Sequence, residues 1–453
     1  MESFSTELLL QSLREWAPAR RYWVAYSGGV DSHVLLHALT RLAGQLPGAL
    51  SAIHIDHGIN PASGIWAQHC ERICSAMDVP LVVQRIEVRA RHGVSPEAAA
   101  RRLRYLAFRE HVGDGEMLLT AHQQDDQAET LLLQLCRGAG PAGLSGMPGF
   151  RTFGRGWHAR PLLPFSRQCI ATYAGQHALE WIEDTSNRDT RFERNFLRQE
   201  IMPRLQLRRP GLAAVLSRAA AIQAEASGLL SEMAAGDLLA CCAGAEDVLD
   251  IDRLLHHSPA RRFNLVHYWL KQLGLPLPGA ALLHRIQAEV IGARPDSSPC
   301  LAWPGAEVRR YRRLLFARPP LAPHNPLQVH SWRLEEPCDL ADGTLTAGPG
   351  RDGGIRRSAC PGGTLEVRFR RGGERLQPAG SAHRRELKTL FQERGVPPWL
   401  RDRVPLLYID SHLAAAADWW IDKEFAAAPG ENAWQLRWTG ATKAPGSSTG
   451  PAG

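Results

Sequence analysis

Short apolar runs alternate with amphipathic stretches from residue 21 to about residue 137. The apolar runs predict four strands, with the sequences RYWVAYS, ALSAIHID, PLVVQRIEV and EMLLTAH. The amphipathic stretches predict three helices, over residues 31–42, 65–77 and 96–111. Ser95 is a suitable cap for the last of these, and Pro96 suits its first position. Strands that alternate with helices predict an α/β domain built on a doubly wound parallel sheet.

The pattern changes along the rest of the chain, and it divides the protein into further parts. An Ala/Leu-rich stretch and mixed helical sequence predict a helical domain after the first domain. Pro and Gly then become frequent, and the alternating LEVRFR predicts a small α+β domain. The expected division is 1–210, 211–320, a Pro/Gly-rich connection at 321–362, 363–440, and a disordered tail at 441–453.

Composition narrows the class of protein. Hydrophobic residues make up 44% of the 453 residues, as in ordinary globular proteins. No apolar run is long enough for a membrane helix, and no secretory signal is recognisable, so we expect a cytoplasmic protein. The nine cysteines include no C-x-x-C pair, and Cys70 and Cys74 read as core thiols. A net charge of +7 favours a polyanionic partner without identifying one.

The first chemical signal is the hexapeptide Ser27-Gly28-Gly29-Val30-Asp31-Ser32, which leads from the first predicted strand into a helix. Glycines let the main chain approach a ligand closely, and a helix N-terminus presents free N–H groups to an anion. The alternative is an ordinary tight turn in which Asp31 is a cap. Because no lysine of the G-x-x-x-x-G-K-[ST] type is present, transfer of a γ-phosphoryl group is disfavoured.

The second signal is the run from His54 to Asn60 at the end of the second predicted strand. His54 and Asp56 alternate with Ile55, so they should share one face of the strand. Two histidines and an aspartate suggest a metal site, but no third histidine stands at ligand spacing. Shaping of a nucleotide pocket is the favoured interpretation.

The third signal is His122-Gln123-Gln124-Asp125-Asp126, followed by Glu129, where another strand enters a helix. The spacing groups the carboxylates on one helical face. Acidic residues in a first turn are often only caps and dipole partners. Facing an anion-binding loop, Asp31, Asp126 and Glu129 would instead complete a Mg²⁺ site shared with phosphate oxygens.

Helical spacing also places Arg101, Arg104 and Tyr105 on one side of the third predicted helix. Arg101 is a candidate for ATP binding. Its alternative role is that of a solvated ion-pair partner of Glu97, one turn earlier.

The complete hexapeptide resembles the pyrophosphate-binding loop of the N-type ATP pyrophosphatases, which cleave ATP between its α and β phosphates. Beyond the loop, further segments resemble a tRNA-modifying branch of that family and appear in its order. They are Arg137-Gly138-Ala139-Gly140, Arg160-Pro161-Leu162-Leu163, Trp181 to Asn187, Arg194-Asn195-Phe196-Leu197-Arg198, Gly372-Gly373-Glu374, and Val396 to Arg403. Two positions depart from the pattern, because Gln123 replaces a usual histidine and Arg371 a usual proline.

The resemblance implies that ATP adenylates the wobble cytidine of an isoleucine tRNA with a CAU anticodon, and that the ε-amine of L-lysine then displaces AMP. It implies that Ser27 to Ser32 bind pyrophosphate, that His54, Asp56, Arg101 and His122 line the ATP site, and that Mg²⁺ assists. Asp31, Asp125 and Asp126 would handle Mg²⁺ and the lysine amine. Arg194 would contact the adenylated base or AMP.

Transfer RNA contacts are expected at six basic residues: Arg198, Arg371, Arg375, Lys388, Arg401 and Arg403. Phe369, Phe391 and Trp399 are interleaved with the C-terminal members of this set. The alternative is a solvated basic surface over an ordinary core. The sequence does not settle the oligomeric state, and a homodimer stays open.

Three other functions are alternatives to a tRNA-modifying ligase. A tRNA thiolase on the same fold would need reactive or cluster-binding cysteines, and the expected C-x-x-C is missing. Synthetases that amidate small metabolites would explain the first loop but not the basic last domain. A non-catalytic tRNA-binding protein would not need the acidic pairs.

Overall fold

The computed structural model describes residues 4–58, 63–87, 96–183, 189–294, 296–351 and 353–440. The chain forms two compact units, Met1–Leu230 and Ser231–Gly453. The predicted cap Ser95, the end of the His54 run at Asn60, residues 184–187 and the tail at 441–453 lie outside the described residues. Among the helices that are described, none combines the length and apolar character that a bilayer span requires.

Six described strands of the first unit form one sheet. They are β1 (Arg21–Ala25), β2 (Ala49–Asp56), β3 (Leu81–Arg85), β4 (Glu116–Leu119), β5 (Phe150–Phe153) and β6 (Gly156–Ala159). Their order is β3-β2-β1-β4-β6-β5. All neighbours pair in parallel except β5 and β6, which are antiparallel. The predicted parallel sheet is confirmed, and the antiparallel edge strand was not predicted.

The first unit also contains helices, and those at residues 30–41, 63–76 and 96–111 alternate with the strands as the sequence predicts. The helices are α1 (Thr6–Arg14), α2 (Val30–Arg41), α3 (Ser63–Ala76), α4 (Pro96–His111), α5 (Gln124–Cys136), α6 (Pro141–Leu144), α7 (Arg167–Gln176), α8 (Glu193–Phe196), α9 (Met202–Arg208) and α10 (Leu212–Cys241). A π-helical segment, Leu197–Ile201, joins α8 to α9, and a short 3-10 helix, Ala43–Gln45, follows α2. The boundary between the two units falls within α10.

Both faces of the sheet are covered, which is why its strands read as nearly continuous apolar runs. In β1, Tyr22 and Val24 belong to one hydrophobic cluster, whereas Trp23 belongs to another. Alternate residues of a strand point to opposite faces, so the two clusters occupy opposite sides of the sheet. The strand order reverses between β1 and β4, and ligands of such sheets bind beyond the carboxyl ends of the strands at this point.

The first part of the second unit is helical, as predicted, but it also contains a sheet. Its helices are α11 (Ile251–Leu255), α12 (Pro259–Gln272) and α13 (Ala280–Arg285), with a π-helical continuation, Ile286–Ile291. Four described strands, β7 (Val248–Asp250), β8 (Cys300–Trp303), β9 (Ala306–Tyr311) and β10 (Leu314–Arg318), pair antiparallel in the order β7-β10-β9-β8. Trp269 of α12 is fully buried in the core of this part.

The remainder of the second unit is α+β. Its elements are β11 (His330–Arg333), β12 (Cys338–Leu340), β13 (Gly343–Arg351), β14 (Ile355–Arg356), the 3-10 helix Arg357–Ala359, β15 (Thr364–Arg368), β16 (Arg375–Leu376), β17 (Arg385–Glu386), α14 (Leu387–Glu393), α15 (Pro398–Arg401), β18 (Leu406–Ile409), β19 (His412–Ala416), β20 (Trp420–Ile421) and β21 (Asn432–Gly440). They form antiparallel sheets ordered β11-β15-β18-β19-β20 and β12-β13-β21-β14, and a β16-β17 pair.

The stretch 321–362, expected to be a connection, carries four of these strands. β13 pairs with β21 along its whole length, although it contains Pro349 and three glycines in the sequence GTLTAGPGR. Pro and Gly are unfavourable within strands, so local sequence alone predicts a loop here. Pairing with a strand about 90 residues further along the chain overrides that preference.

Candidate active site

A cavity of about 560 Å³ opens where β1, β2 and β4 end. Its lining contains most of the ATP-site residues that the sequence analysis proposed: Ser27, Gly29, Val30, Asp31, Ser32, His54, Asp56, Arg101 and His122. These residues come from four separate segments of the chain. The fold brings the segments together because each one follows or flanks the carboxyl end of a parallel strand.

The glycine loop, residues 27–32, is held by its own serines. The hydroxyls of Ser27 and Ser32 are 3.0 Å apart, and Ser32 Oγ donates to the carbonyl of Gly29 at 3.0 Å. Gly28 has a φ of +82°, a conformation that favours glycine, and a Cβ there would lie 3.2 Å from the sulfur of Cys70. α2 begins at Val30, within this segment, so the first N–H groups of the helix are directed to the same region.

Asp31 has an unusual environment within this loop. Its Oδ1 atom is buried and has no hydrogen-bond partner among the described residues. Burial and the nearby Asp126 carboxylate raise the pKa of Asp31 to about 6, against the opposing charges of Arg167 and Arg198. A buried carboxylate oxygen without a partner is costly unless a ligand satisfies it, and a divalent cation is the chemistry that fits.

Asp126 and Glu129 are held by arginines from outside their own helix. Arg194 Nε is 3.0 Å from Glu129 Oε2, and Arg194 Nη2 is 3.1 Å from Asp126 Oδ1. Arg198 also contacts both acids, with its closest nitrogens 2.7 Å from Glu129 Oε1 and from Asp126 Oδ1. We call Asp126, Glu129, Arg194 and Arg198 the acid–arginine cluster.

This cluster changes two of the predicted roles. Both oxygens of Glu129 already accept from guanidinium groups, so Glu129 anchors arginines and is not arranged as a metal ligand. Arg198 was expected to contact tRNA, but it contacts the two acids and lines the cavity beside Asp31. Within the described ranges, no three His, Cys, Asp or Glu side chains are grouped to hold a metal ion by themselves. A cation at Asp31 would therefore depend on oxygens of a bound ligand.

Asp125 does not line the cavity, and both of its oxygens are engaged elsewhere. Its Oδ2 accepts from the main-chain N–H of Arg167 at 2.9 Å, and its Oδ1 accepts from Gln206 Nε2 at 3.1 Å. It thereby stabilises the beginning of α7. Gln123, the departure from the family pattern, caps α5 by accepting from the N–H of Asp125 at 2.6 Å.

His54 and Asp56 share one face of β2, as the alternation predicts, and both are buried at the cavity. His54 Nδ1 lies 2.9 Å from the carbonyl of Tyr26 and 3.4 Å from Cys70 Sγ. Asp56 accepts from the N–H of Gly58 at 2.9 Å, and its other oxygen is 3.3 Å from Arg85. These contacts agree with a role in shaping the pocket, which was the favoured interpretation.

The arginine face of α4 also reaches the cavity. Arg101, Arg104 and Tyr105 all line it, and the Arg101 guanidinium lies 5.3 Å from the centre of the Tyr105 ring. His122 follows β4, and its Nδ1 atom lies 2.9 Å from Thr120 Oγ1. Burial, together with Arg160 and Arg194, holds the pKa of His122 well below its usual value.

Sequence reasoning missed several residues at or behind this site. Arg167 lines the cavity and lies 3.5 Å from Glu129, and no pattern in the sequence indicates either contact. Thr120 and His158 are buried behind His122. Arg160 belongs to a recognised segment, Arg160-Pro161-Leu162-Leu163, and that segment was the only signal available for this group.

The six predicted tRNA contacts fall into different environments. Arg371, Arg375 and Lys388 are exposed. Arg401 and Arg403 are buried, which corrects the expectation that they belong to an RNA-binding surface. Arg401 donates to the carbonyl of Val396 and to the hydroxyl of Tyr311, and Arg403 pairs with Asp342 at 2.8 Å. A run of basic residues does not reveal which guanidinium groups find partners inside the fold.

The interleaved aromatic residues are likewise not arranged as an RNA-stacking surface. Phe391 is fully buried and Phe369 nearly so. Trp399 packs edge-on against Phe316, with ring centres 5.5 Å apart, and Arg309 lies over its ring. Phe391 and Trp399 contribute to cores within the second unit.

The parallel sheet with a glycine loop at its reversal point defines a PP-loop ATP-binding domain, and residues 2–205 match the family model described as "PP-loop domain". Residues 249–316 match "TilS substrate binding domain", and residues 365–438 match "TilS substrate C-terminal domain". The chain belongs to the tRNA(Ile)-lysidine synthase family. It is 44% identical over 433 residues to the tRNA(Ile)-lysidine synthase of Methylococcus capsulatus, covering 93% of this chain and 97% of the relative. It is 40% identical over 437 residues to that of Coxiella burnetii, covering 96% of each chain.

Proposed function

We propose that this protein is an ATP-dependent tRNA-modifying ligase that joins L-lysine to the wobble cytidine of an isoleucine tRNA with a CAU anticodon. The products are lysidine, AMP and pyrophosphate. The observation that carries the proposal is the placement of the glycine loop and Asp31 beside Asp126 at the reversal point of the sheet. It is supported by the near full-length similarity to relatives named tRNA(Ile)-lysidine synthase.

The first step activates an oxygen of the base. The carbonyl oxygen at C2 of cytidine attacks the α-phosphorus of ATP, and the bond from that phosphorus to the departing pyrophosphate breaks. The main-chain N–H groups of the glycine loop and the start of α2 would hold the pyrophosphate as it leaves. This step is required because a carbonyl oxygen is a poor leaving group until it is phosphorylated.

Asp31 is the carboxylate that would hold Mg²⁺ with the nucleotide, since its unpartnered Oδ1 needs a positive ligand. Both oxygens of Asp126, in contrast, already accept hydrogen bonds. When bound, Mg²⁺ neutralises charge on the phosphate oxygens. Arg194 and Arg198 hold the Asp126 carboxylate in place through its Oδ1. Its Oδ2 accepts from the main-chain N–H of Gln123 at 3.1 Å, so the orientation of this carboxylate is defined on both sides.

The second step replaces AMP by lysine. The ε-nitrogen of lysine attacks C2 of the activated base, the bond from C2 to the adenylated oxygen breaks, and AMP leaves with that oxygen. A free lysine ammonium has a pKa of about 10.4, so it must lose a proton before it attacks. A carboxylate beside the adenylated base must accept or orient this proton, and Asp126, next to Asp31, is the candidate that does not also hold Mg²⁺. Arg194, which pairs with Asp126, would contact AMP or the adenylated base.

The base must leave its stack to reach the cavity. In the second unit, Arg371, Arg375 and Lys388 are exposed, and they are the three remaining candidates for contacts with phosphates elsewhere on the tRNA. Such contacts position a substrate without reading its sequence.

The decisive experiment incubates the purified full chain with ATP, Mg²⁺ and radiolabelled lysine, together with isoleucine tRNA transcripts that carry CAU. We expect label in the RNA and release of AMP and pyrophosphate. Conversion of ATP to ADP, or a lack of label in the RNA despite a folded protein, would reject the proposal. A methionine tRNA transcript with the same anticodon should remain unlabelled.

Two variants sharpen the assay. Asp126→Asn should lose lysine transfer but still bind tRNA in a filter assay, because the change removes a charge at the cavity and not in the second unit. Asp114→Asn is the matched control, because Asp114 is largely exposed and pairs with the exposed Arg155. Retained transfer by Asp126→Asn would remove Asp126 from the mechanism.

A further inference from the structure

A hydrogen-bonded network of four polar side chains leads from the interior of the first unit to His122. Arg160 Nη2 lies 3.4 Å from Nδ1 of His158, and His158 Nε2 lies 2.9 Å from Thr120 Oγ1. The same hydroxyl lies 2.9 Å from Nδ1 of His122. Arg160, His158 and Thr120 are each less than a tenth exposed. This network connects β4 with β6, which pair in parallel and place Leu118 opposite His158.

The donor and acceptor of each hydrogen bond in this network can be assigned in order, starting from Arg160. A guanidinium group can only donate, so Nδ1 of His158 accepts. His158 is neutral, since burial and the adjacent Arg160 lower its pKa to about 2. Its single ring proton must then be on Nε2, which donates to Thr120 Oγ1.

The hydroxyl of Thr120 completes the assignment. It accepts from His158, and Nδ1 of His122 is the only acceptor for its own proton among the described residues, so the hydroxyl donates to that atom. An Nδ1 atom that accepts carries no proton, so the proton of a neutral His122 is on Nε2. The tautomer of His122 is thus decided by an arginine three hydrogen bonds away.

The surroundings of His122 favour a neutral ring that donates to an anion. Burial and four neighbouring cations lower its pKa: Arg160 after β6, Arg194 of α8, and Arg101 and Arg104 of α4. His122 lines the cavity that contains the glycine loop, and no hydrogen bond to its Nε2 atom is found among the described residues. Its N–H donor therefore remains for a ligand.

We propose that Arg160, His158 and Thr120 are positioning residues that hold His122 as the Nε2–H tautomer, so that it donates a hydrogen bond to a phosphate oxygen of bound ATP. The identity of this ligand rests on the proposed function, whereas the tautomer does not. With the opposite tautomer, a nitrogen lone pair would face the phosphate and the hydrogen bond would be lost. Loss of a hydrogen bond to a charged group corresponds to about a tenfold to hundredfold loss in kcat/KM.

The tautomer can be read directly from the ¹⁵N-histidine NMR spectrum of the full chain, since protonated and unprotonated ring nitrogens have distinct shifts. The His122 signals are assigned by their absence in His122→Gln. We expect the Nε2–H pattern in the wild type, a mixture of tautomers in Thr120→Val, and recovery of the single pattern in Thr120→Ser. An Nδ1–H or imidazolium pattern in the wild type would overturn the proposal, as would an unchanged spectrum in Thr120→Val.

Steady-state kinetics test whether the tautomer of His122 affects the use of ATP. Thr120→Val should lower kcat/KM for ATP by about tenfold to hundredfold, and Thr120→Ser should recover most of the loss. Thr40→Val is the matched control and should behave as wild type, because Thr40 loses only a hydrogen bond to the carbonyl of Leu36 within α2. Equal losses in Thr120→Val and Thr120→Ser would contradict the role of the hydroxyl.

Binding of a non-hydrolysable ATP analogue should shift the Nε2–H signal of His122, and tRNA alone should not. A shift with tRNA only would overturn the assignment of the ligand. If Thr120→Val does not fold, the wild-type and Thr120→Ser spectra decide the question. If the wild type transfers no lysine, the proposed function fails while the spectrum still decides the tautomer.

Discussion

Arg198 and Glu129, which are 69 residues apart in the sequence, form a bidentate ion pair. Arg198 Nε lies 2.7 Å from Glu129 Oε1, and Arg198 Nη2 lies 2.9 Å from Glu129 Oε2. The Glu129 side chain is only 2% exposed, so its charge depends on these partners. Because Arg194 and Arg198 hold Asp126 as well, the pair fixes the carboxylate that the proposed reaction uses.

Replacing Arg198 by Ala should therefore destabilise the first unit. Removal of one member of a buried ion pair typically costs about 3 kcal/mol or more, because the remaining charge stays buried. Arg194 and Arg167 still contact Glu129, so we expect a loss of about 2 to 3 kcal/mol in urea unfolding. Arg204→Ala, which breaks an exposed pair with Glu200, is the control and should change stability by less than about 0.5 kcal/mol. Equal effects of the two substitutions would show that the buried cluster contributes no more than a surface pair.

Asp31 should make the stability of the ligand-free protein depend on pH. Its folded pKa is raised from 3.8 to about 6 by burial and by Asp126, so folding favours the protonated form. The contribution of Asp31 is fully present below about pH 4 and is lost as the pH rises through about 6. Asp31→Asn should therefore be more stable than wild type at neutral pH, and this advantage should disappear toward pH 4.

Urea unfolding of wild type and Asp31→Asn across this pH range, without Mg²⁺ or nucleotide, measures the effect. The difference between the two proteins isolates Asp31 from the other carboxylates. Asp114→Asn is a suitable control, since its exposed carboxylate should give no such pH-dependent difference. A difference between Asp31→Asn and wild type that stays constant with pH would argue against a raised pKa.

Gly28→Ala should impair both folding and ATP binding. A φ of +82° costs a residue with a Cβ about 1 to 3 kcal/mol, and the new methyl group would also meet the sulfur of Cys70 at 3.2 Å. Thermal unfolding and nucleotide titration measure the two effects. Gly44→Ala is the control, because its added Cβ meets no atom within 4 Å and its φ is not in the left-handed region.

The double variant Gly28→Ala with Cys70→Ala separates the two causes. It removes the contact with sulfur but keeps the backbone strain. Compared with Cys70→Ala alone, so that the loss of the buried thiol cancels, we expect the Gly28→Ala change to cost less stability than it does in wild type but to leave the loop geometry impaired. Full recovery would mean that crowding, and not the backbone conformation, requires glycine at this position.

The exposed basic residues of the second unit should determine the salt dependence of tRNA binding. The double variant Arg375→Ala with Lys388→Ala should weaken binding and lower the slope of log affinity against log salt by about one to two. The charge-preserving Arg375→Lys with Lys388→Arg should keep the slope. Arg403→Ala should instead lower the stability of the second unit, because it leaves the partly buried Asp342 without its partner. A salt slope that none of these variants changes would place the tRNA contacts elsewhere.

Sequence patterns were sufficient for features that depend on neighbours along the chain. The four strands before α5, the helix of residues 96–111 and the glycine loop at the end of β1 are all found as predicted. The alternation in β2 correctly places His54 and Asp56 on one face, and helical spacing correctly groups Arg101, Arg104 and Tyr105. Periodicities of two and 3.6 residues are local properties, so a single sequence reveals them. The resemblance of short motifs correctly indicated the family.

Features that depend on distant partners were decided only by the tertiary structure. Acidic and basic residues are visible in the sequence, but the pairing of Glu129 with Arg198, the turning of Asp125 toward α7 and the burial of Arg401 are not. Likewise, β13 forms despite its Pro and Gly residues because β21 supplies its hydrogen bonds. Whether a charge is solvated, paired or buried depends on the dielectric and the partners around it, and the folded chain alone brings those partners together.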